Sequence, residues 1–238
     1  MPSQPPPHTI SVVVACHNEA DNLEPLYHGL IRAVAASPFK DCEILIIDDA
    51  STDATYDKAQ ALASKDSRVR VIRNATNQGF GASLRIGLSQ AHGTHLTVLP
   101  GDNEIAEESV ASLLNTVGRA DLVTCYSATP QARHLVRRIL SRAFTETNNL
   151  LFGCGQKYFN GPNLFRVDQL RALPLRCRSL LFNAEAVIRL VRRGCSLYQM
   201  GMVTRPQPQI RTSALRLTNL RAVISDTAKL FWELRMRG

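Results

Sequence analysis

Short apolar runs alternate with longer amphipathic segments along the first half of the chain. The runs are continuous and rich in β-branched side chains, which is typical of strands buried on both faces of a sheet. They lie at 10–16, 43–47, 68–73, 94–99 and 121–125. The intervening segments carry apolar residues at helical spacing and predict helices at 21–36, 54–64, 82–91 and 109–117. This alternation predicts an α/β protein with a wound, mainly parallel central sheet flanked by helices.

The second half of the chain has a different pattern. Its first helix is basic as well as apolar, Gly153 interrupts the helical spacing, and Gly194 ends a later helix. The elements predicted here are a helix at 131–151, a return to the sheet at 156–165, a helix at 181–193, a strand at 196–204 and a basic amphipathic C-terminal helix at 212–237.

These elements predict one principal domain. We expect a disordered tail at 1–8, the domain itself at 9–204, and a linker with the C-terminal helix at 205–238. The chain has 238 residues, of which 45% are hydrophobic, so it can bury a full core. Its apolar runs are all shorter than the roughly 20 residues that cross a bilayer, and the tail lacks the apolar region of a signal peptide.

Composition narrows the class of partner. The six cysteines form no Cys-x-x-Cys pair and have no histidine at zinc spacing, so we expect reduced, mostly buried thiols in a cytoplasmic protein. The net charge of +8 favours an anionic partner, such as a nucleotide or a phospholipid surface. Nucleic acid is not expected, because only 6% of the residues are aromatic and no nucleic-acid-binding motif is recognised.

An acidic pair follows the fourth predicted strand. Pro100 and Gly101 end the apolar run, so Asp102 and Glu104 should stand at the carboxyl end of the strand, where open α/β sheets bind ligands. Two carboxylates at this spacing can share one Mg²⁺ or Mn²⁺ ion that keeps positions for water and phosphate. We therefore expect a metal ion that binds a diphosphate. The alternative is that Asp102 caps a helix that begins near Ile105.

Four segments carry further motifs in a fixed order. They are VVVACHNE at 12–19, IDDASTDAT at 47–55, NQGFGA at 77–82 and LPGDNE at 99–104. Together they resemble the signatures of family 2 glycosyltransferases with the GT-A fold, and the pattern over residues 9–220 is similar to dolichyl- and polyprenyl-phosphate mannosyl- or glucosyltransferases. The resemblance implies an inverting, metal-dependent transfer of a hexose from GDP-mannose or a UDP-sugar to a polyprenyl phosphate. Pro100 departs from the family's first metal-binding carboxylate, which leaves the metal to Asp102 and Glu104.

The resemblance also assigns residues to a nucleotide-sugar site. The implied residues are Ala15, His17 and Glu19 around the nucleoside and Ile47, Asp48 and Asp49 at the base and ribose. They also include Asn77 and Gly79 in the segment 77–82, which we call the glycine loop, and Gly101 and Asp102 in the segment 99–104, which we call the metal loop. The acidic stretch at 48–53 is also compatible with an Asx turn and a helix cap, which would be a purely structural role.

Two of the family's basic motifs are degraded in this chain. The GSR motif after the fifth strand appears as CYS at 125–127 and lacks its arginine, for which Arg133 is the substitute we expect. The late RxxGxSK motif is reduced to QIRTS at 209–213, which leaves Arg211 or Arg216 as the cation that faces phosphate. The alternative is that these arginines only solvate a helix face.

The acceptor decides whether a base is needed. A polyprenyl phosphate is ionised at neutral pH and needs none. In that case Arg142, which matches an SR dipeptide of the family, is expected to steer the acceptor phosphate. A soluble small molecule or a sugar hydroxyl is the alternative acceptor and would need a base, for which Glu185 is the candidate. Two other classes remain open: a nucleotidyltransferase, and a degenerate protein that binds a nucleotide sugar with little catalysis.

The two basic amphipathic helices, at 131–151 and 212–237, have two interpretations. Each can lie on an anionic membrane surface with its arginines at the headgroups, as in a peripheral protein on the inner face of the plasma membrane. Alternatively, their apolar faces pack against the sheet or against a second copy of the chain in a homodimer.

Overall fold

The computed structural model of the protein describes residues 8–129, 135–177, 181–205 and 217–236. Predictions that concern the tail at 1–7, Arg133, Arg211 and Arg216 lie outside the described residues.

The described strands form one seven-stranded sheet in the order β3-β2-β1-β4-β6-β5-β7. Neighbouring strands are parallel except for β6, which is antiparallel to both β4 and β5. The strands are β1 (Thr9–Cys16), β2 (Asp41–Asp48), β3 (Val69–Arg73), β4 (His95–Pro100), β5 (Leu122–Ser127), β6 (Asn163–Arg166) and β7 (Leu197–Met202).

Helices connect the strands and cover both faces of the sheet. Among the described residues they are α1 (Ala20–Ala35), α2 (Thr55–Lys65), α3 (Phe80–Gln90), α4 (Glu107–Leu114), α5 (Leu135–Phe152), α6 (Val167–Arg171), α7 (Leu181–Arg192) and α8 (Leu217–Met236). The predicted α/β class with a mainly parallel sheet is therefore confirmed. The alternation of apolar runs and amphipathic segments was sufficient to predict it.

The core has two layers, one on each face of the sheet. Val12 and Val14 of β1 point into the layer that α1 and α4 cover, and Val13 points into the layer that α3 and α7 cover. Because β1 is buried on both faces, its sequence from Val12 to Cys16 is continuously apolar rather than alternating. This central position fixes the end of β1 relative to the strands on either side.

One predicted strand is much shorter in the structure. The segment 156–165 was expected to return to the sheet, but only Asn163–Arg166 does so. The backbone N–H groups of Gln156 and Lys157 donate instead to the side chains of Asn149 and Gln199. The short helix α6, which follows β6 directly, was not predicted because its five residues are too few to show a helical period.

The six cysteines, all within the described residues, are free thiols, and five are buried. This confirms the expectation of reduced, mostly buried cysteines. None of the helices that the structure describes is long and apolar enough to cross a bilayer.

A histidine at the amino end of β4 predicts a loss of stability in mild acid. Burial, together with the charges of His8 and Arg166, lowers the pKa of His95 to about 4, from about 6.5 in an unfolded chain. As the pH falls from about 6.5 to 4, the unfolded chain binds a proton that the folded chain does not, so the free energy of unfolding decreases. Because the imidazole is partly exposed, we expect a loss of only about 1–2 kcal/mol.

Urea unfolding at pH 7 and pH 5 measures this effect. His95→Gln should lose less stability between the two pH values than the wild type, whereas His28→Gln, which changes an exposed histidine on α1, should behave as the wild type. Equal losses in the wild type and His95→Gln would contradict the assignment.

Candidate functional site

The carboxyl ends of the parallel strands meet at one edge of the sheet, and the strand order reverses there. β1 lies between β2 and β4, so the chain winds outward in opposite directions from this point. Open α/β sheets bind ligands in the crevice at such a switch point. The loops that follow β1, β2 and β4 therefore form the candidate site.

Side-chain hydrogen bonds join the first two of these loops. The backbone N–H of Asn18 donates to Ser51 Oγ at 3.0 Å, and Thr52 N–H donates to Asn18 Oδ1 at 2.8 Å. Glu19 N–H donates to Thr55 Oγ1 at 2.8 Å. The segments 17–19 and 51–55 are thus held together as one unit.

Each of the three loops contains a residue with left-handed backbone. Asn18, Ala50 and Asn103 have φ angles of 58°, 57° and 53°. This conformation is uncommon outside glycine and costs about 1–2 kcal/mol for a residue such as alanine. Backbone strain of this kind gathers at functional sites, where the surrounding structure enforces it. Its occurrence in all three loops supports the location of the site.

Asp49 anchors the glycine loop. Its carboxylate accepts hydrogen bonds from Asn74 Nδ2 at 2.8 Å, from Gln78 N–H at 2.8 Å and from Gly79 N–H at 2.7 Å. Asp49 is buried, Gly79 has a φ of 85°, and Asn77 is exposed beside them. The structure thus brings Asp49 against the loop that contains Asn77 and Gly79, and Asp49 holds this loop through hydrogen bonds. Asn74 was missed by the sequence reasoning.

Two residues predicted at the nucleoside are inaccessible. The Ile47 side chain is fully buried in the core, so the structure does not support its contact with a base. Asp48 is also fully buried, and its Oδ2 lies 3.1 Å from Nε of Arg73. Asp48 Oδ1 accepts a hydrogen bond from Ser51 N–H at 3.2 Å, as in the Asx turn considered above.

The residues that end β1 do face the edge. His17 is exposed, and its Nδ1 lies 2.9 Å from the carbonyl oxygen of Asp49. Ala15 is half-buried, and its carbonyl accepts a hydrogen bond from Gly101 N–H at 2.8 Å. This hydrogen bond places the segment 12–19 next to the metal loop.

Gly101 allows β1 and the metal loop to approach closely. A Cβ atom at this position would lie 2.7 Å from Cys16 Sγ, 3.0 Å from the Ala15 carbonyl oxygen and 3.2 Å from Glu19 Cγ. Any side chain at 101 would therefore separate the loop from β1. Asp102 follows Gly101 in the chain, so this close approach brings it near the buried Glu19.

The acidic pair forms a tight turn. Asp102 Oδ1 accepts a hydrogen bond from Glu104 N–H at 3.0 Å, around the left-handed Asn103. Burial raises the pKa of Asp102, the carboxylates of Glu104 and Glu19 raise it further, and the charge of Arg137 opposes them. The helix-cap alternative is wrong, because α4 begins at Glu107 and has no side-chain capping bond.

The donor set at this turn fits a shared divalent cation. Asp102 and Glu104 supply hard carboxylate oxygens, which Mg²⁺ and Mn²⁺ prefer. The part of the chain that the structure describes has no group of three or more His, Cys, Asp or Glu side chains able to hold a metal. A cation bound by two carboxylates would need further oxygens, and the phosphates of a substrate are its usual source in such sites.

Glu104 has a partner that the sequence did not indicate. Nη2 of Arg137, on α5, lies 3.2 Å from Glu104 Oε2. The two residues are 33 positions apart, so no local spacing links them. Arg142, predicted to steer phosphate, is exposed on the same helix.

The structure does not support Glu185 as a general base. Its side chain is fully buried, with 0% of its surface exposed. The carboxylate accepts hydrogen bonds from the backbone N–H groups of Arg176 and Cys177 and from Nε of Arg189. Arg189 also pairs with Glu233 at 3.0 Å. Glu185 therefore belongs to a buried charge network that joins α7 to α8.

The sheet order and the loops at its switch point define a GT-A glycosyltransferase fold. A solved structure with this fold, glucosyl-3-phosphoglycerate synthase from Mycobacterium tuberculosis in complex with UDP, superposes with a TM-score of 0.71. It covers 94% of this chain and 80% of that chain at 20% sequence identity. Residues 11–173 match Glycosyl transferase family 2, and the chain belongs to this family. The predicted family and fold are confirmed.

Sequence relatives include transferases that act on lipid phosphates. The undecaprenyl-phosphate mannosyltransferase of Micrococcus luteus is 27% identical over 197 residues, which is 78% of this chain and 79% of that protein. The dolichol-phosphate mannosyltransferase of Pyrococcus furiosus is 32% identical over 108 residues, which is 45% of this chain and 30% of that protein. The chain spans less than half the length of several curated relatives that it matches.

The role of Asp49 predicts a defined loss of stability. Asp49→Asn would replace one acceptor oxygen with an NH₂ group that faces N–H donors, leaving at least one buried donor unsatisfied. We expect the free energy of unfolding to fall by about 1–3 kcal/mol, measured by urea denaturation. Asp57→Asn, an exposed change on α2, is the matched control and should stay within about 0.5 kcal/mol of the wild type. Equal stability of the two variants would show that Asp49 does not hold the loop.

Proposed function

We propose that this chain is an inverting hexosyltransferase that uses a nucleotide-diphosphate sugar and transfers the hexose to a polyprenyl phosphate at a membrane surface. The observation that carries the proposal is the meeting of the loops after β1 and β2 with the Asp102–Glu104 turn, which follows β4, at the switch point of the sheet. A nucleotide sugar needs this combination: a crevice for the nucleoside beside acidic groups at the diphosphate.

The donor half of the proposal draws on fold and family. Solved structures of the same fold, at 17–20% identity, hold UDP in one case and UDP-glucose together with Mn²⁺ in another. In this chain the exposed His17 and the loop at 77–79 line the side of the crevice formed by β1 and β2. We assign the nucleoside to this side, with GDP-mannose or a UDP-sugar as the donor, and the diphosphate to the side of Asp102.

Under this proposal, the residues of the metal loop bind the cation or position its ligands. Asp102 and Glu104 would hold a divalent cation, which when bound supplies positive charge that stabilises the leaving diphosphate. Gly101 keeps the loop against β1, and the left-handed Asn103 lies in the turn that brings Glu104 N–H to Asp102 Oδ1. Asp49 keeps the glycine loop in place through its three hydrogen bonds.

The acceptor half of the proposal draws on the burial of Glu185. In the transfer, an acceptor oxygen forms a bond to the anomeric carbon while the bond from that carbon to the diphosphate breaks on the opposite face. A phosphate monoester has a second pKa near 6, so its oxygen is already a nucleophile at neutral pH. Glu185, the candidate base for a hydroxyl acceptor, is enclosed in its own network. This favours a phosphate over a hydroxyl, and the names of the relatives favour a polyprenyl phosphate.

Two helices present an apolar and basic surface that suits a lipid acceptor. On α5, Leu135 and Ile139 are 60% and 59% exposed, and on α8, Trp232 and Met236 are 61% and 81% exposed. Exposed arginines lie among them on both helices. The two helices contact each other, with the ring centroids of Phe152 and Phe231 6.3 Å apart. We call the exposed apolar and basic residues of both helices the α5–α8 surface. Exposed aromatic and apolar groups with flanking arginines are typical of helices that lie in a membrane interface.

A thermal-shift screen of nucleotide sugars with Mn²⁺ tests the donor. A donor at about 100 times its Kd should stabilise the wild type by about 2.7 kcal/mol, which raises the Tm by about 5–10 °C for a domain of this size. Asp102→Asn and Glu104→Gln should lose the Mn²⁺-dependent part of this shift. Glu108→Gln, an exposed change on α4, should keep it. No shift with any nucleotide sugar would contradict the proposal.

Sedimentation with anionic vesicles tests the surface. The wild type should bind phosphatidylglycerol vesicles at low salt, and Ile139→Glu with Trp232→Glu should weaken binding at least fivefold, because charges replace buried apolar contacts. Gln60→Glu with Ala61→Glu adds the same two negative charges at exposed positions of α2 and should bind as the wild type. Absence of wild-type binding, or a homodimer that these same changes dissociate, would contradict membrane docking.

A further inference from the structure

One ion pair connects the α5–α8 surface to the candidate metal site. Arg137 Nη2 donates to Glu104 Oε2 at 3.2 Å. The Glu104 side chain is 5% exposed, whereas that of Arg137 is 49% exposed. The contact therefore runs from a half-exposed surface cation to a buried carboxylate.

Glu104 needs a positive partner because of its surroundings. The carboxylates of Glu104 and Glu19 both act on Asp102, and Glu19 and Glu104 are buried, so negative charge is concentrated in a partly buried volume. A buried carboxylate is strongly destabilising unless it is paired. Arg137 contributes to this pairing through its contact with Oε2 of Glu104.

A divalent cation would supply the same pairing with twice the charge. Two cations close to one carboxylate repel each other strongly where water is scarce. Arg137 and a metal ion would therefore exclude each other from Glu104, at least in part. The outcome depends on how easily Arg137 can leave.

The helix that carries Arg137 is weakly held at this end. All six residues from 135 to 140 are exposed, and the first buried residue of α5 is Thr145. Few buried contacts and an exposed backbone characterise segments that open locally at small cost in free energy. The pair with Glu104 is thus an important tether of the first turns of α5.

We propose that Arg137 competes with the divalent cation for Glu104, so that metal binding releases the first turns of α5 from the site. The inference rests on the proposed metal role of Asp102 and Glu104. It makes Arg137 a positioning residue: it fixes α5 against the site before the metal binds and leaves the helix free to engage an anionic surface afterwards. By linkage, whatever draws Arg137 away from Glu104 raises the affinity for the metal.

Mn²⁺ affinity, measured by titration of free Mn²⁺ with electron paramagnetic resonance, tests the competition. Arg137→Gln should bind Mn²⁺ at least threefold more tightly than the wild type. Arg137→Lys retains the charge and should lie between the two. Arg138→Gln removes the charge of the adjacent exposed residue on α5 and should stay near the wild type, which separates local competition from a general charge effect.

Hydrogen exchange gives a second readout that does not depend on activity. Mn²⁺ should speed amide exchange at residues 139–144 in the wild type, while in Arg137→Gln exchange should already be fast and change little. Equal or weaker Mn²⁺ binding by Arg137→Gln would overturn the competition and leave the proposed function intact. Absence of Mn²⁺ binding by both proteins would overturn the inference together with the proposed metal role.

Discussion

Negative charge gathered at one edge of the sheet is the constraint on which the rest of the site depends. Several carboxylates follow the ends of parallel strands, and each is compensated differently. Asp48 is fully buried and lies against Arg73, Asp49 accepts three N–H groups, and Glu104 pairs with Arg137. Compensation of this kind is required, because a buried carboxylate without partners would shift its pKa and take up a proton. At one part of the edge these partners are backbone groups fixed by the fold. At the other part the partner is a side chain that can move away.

The fixed part follows β2, and the part with the movable partner follows β4. Asp49 accepts from backbone N–H groups, which cannot leave without unfolding the glycine loop. Glu104 instead pairs with the side chain of Arg137 on α5. Burial and like charges raise the pKa of its neighbour Asp102. A site that must bind and release a charged group needs the second kind of compensation. Gly101 holds the two parts together by keeping the loop against β1.

The sequence predicted the features that depend on local pattern and failed at those that depend on distant contacts. The strands and helices before residue 125 followed from apolar runs and helical spacing, because each element buries its own repeating face. The roles of Ile47 and Glu185 were misjudged because motif position does not show which way a side chain points. The pair of Arg137 with Glu104 could not be predicted, since 33 residues separate them and the fold alone brings them together.

The two helices of the α5–α8 surface are held in different ways, and this difference bears on what each can do. α8 is fixed by the contact of Glu233 with the buried Arg189, which Glu185 orients in turn. A buried charge network of this kind is costly to break, because breaking it leaves an uncompensated charge. The first turns of α5 depend instead on an exposed arginine. The apolar face of α8 is therefore held rigidly on the domain. The start of α5 can move when the charge near Glu104 changes.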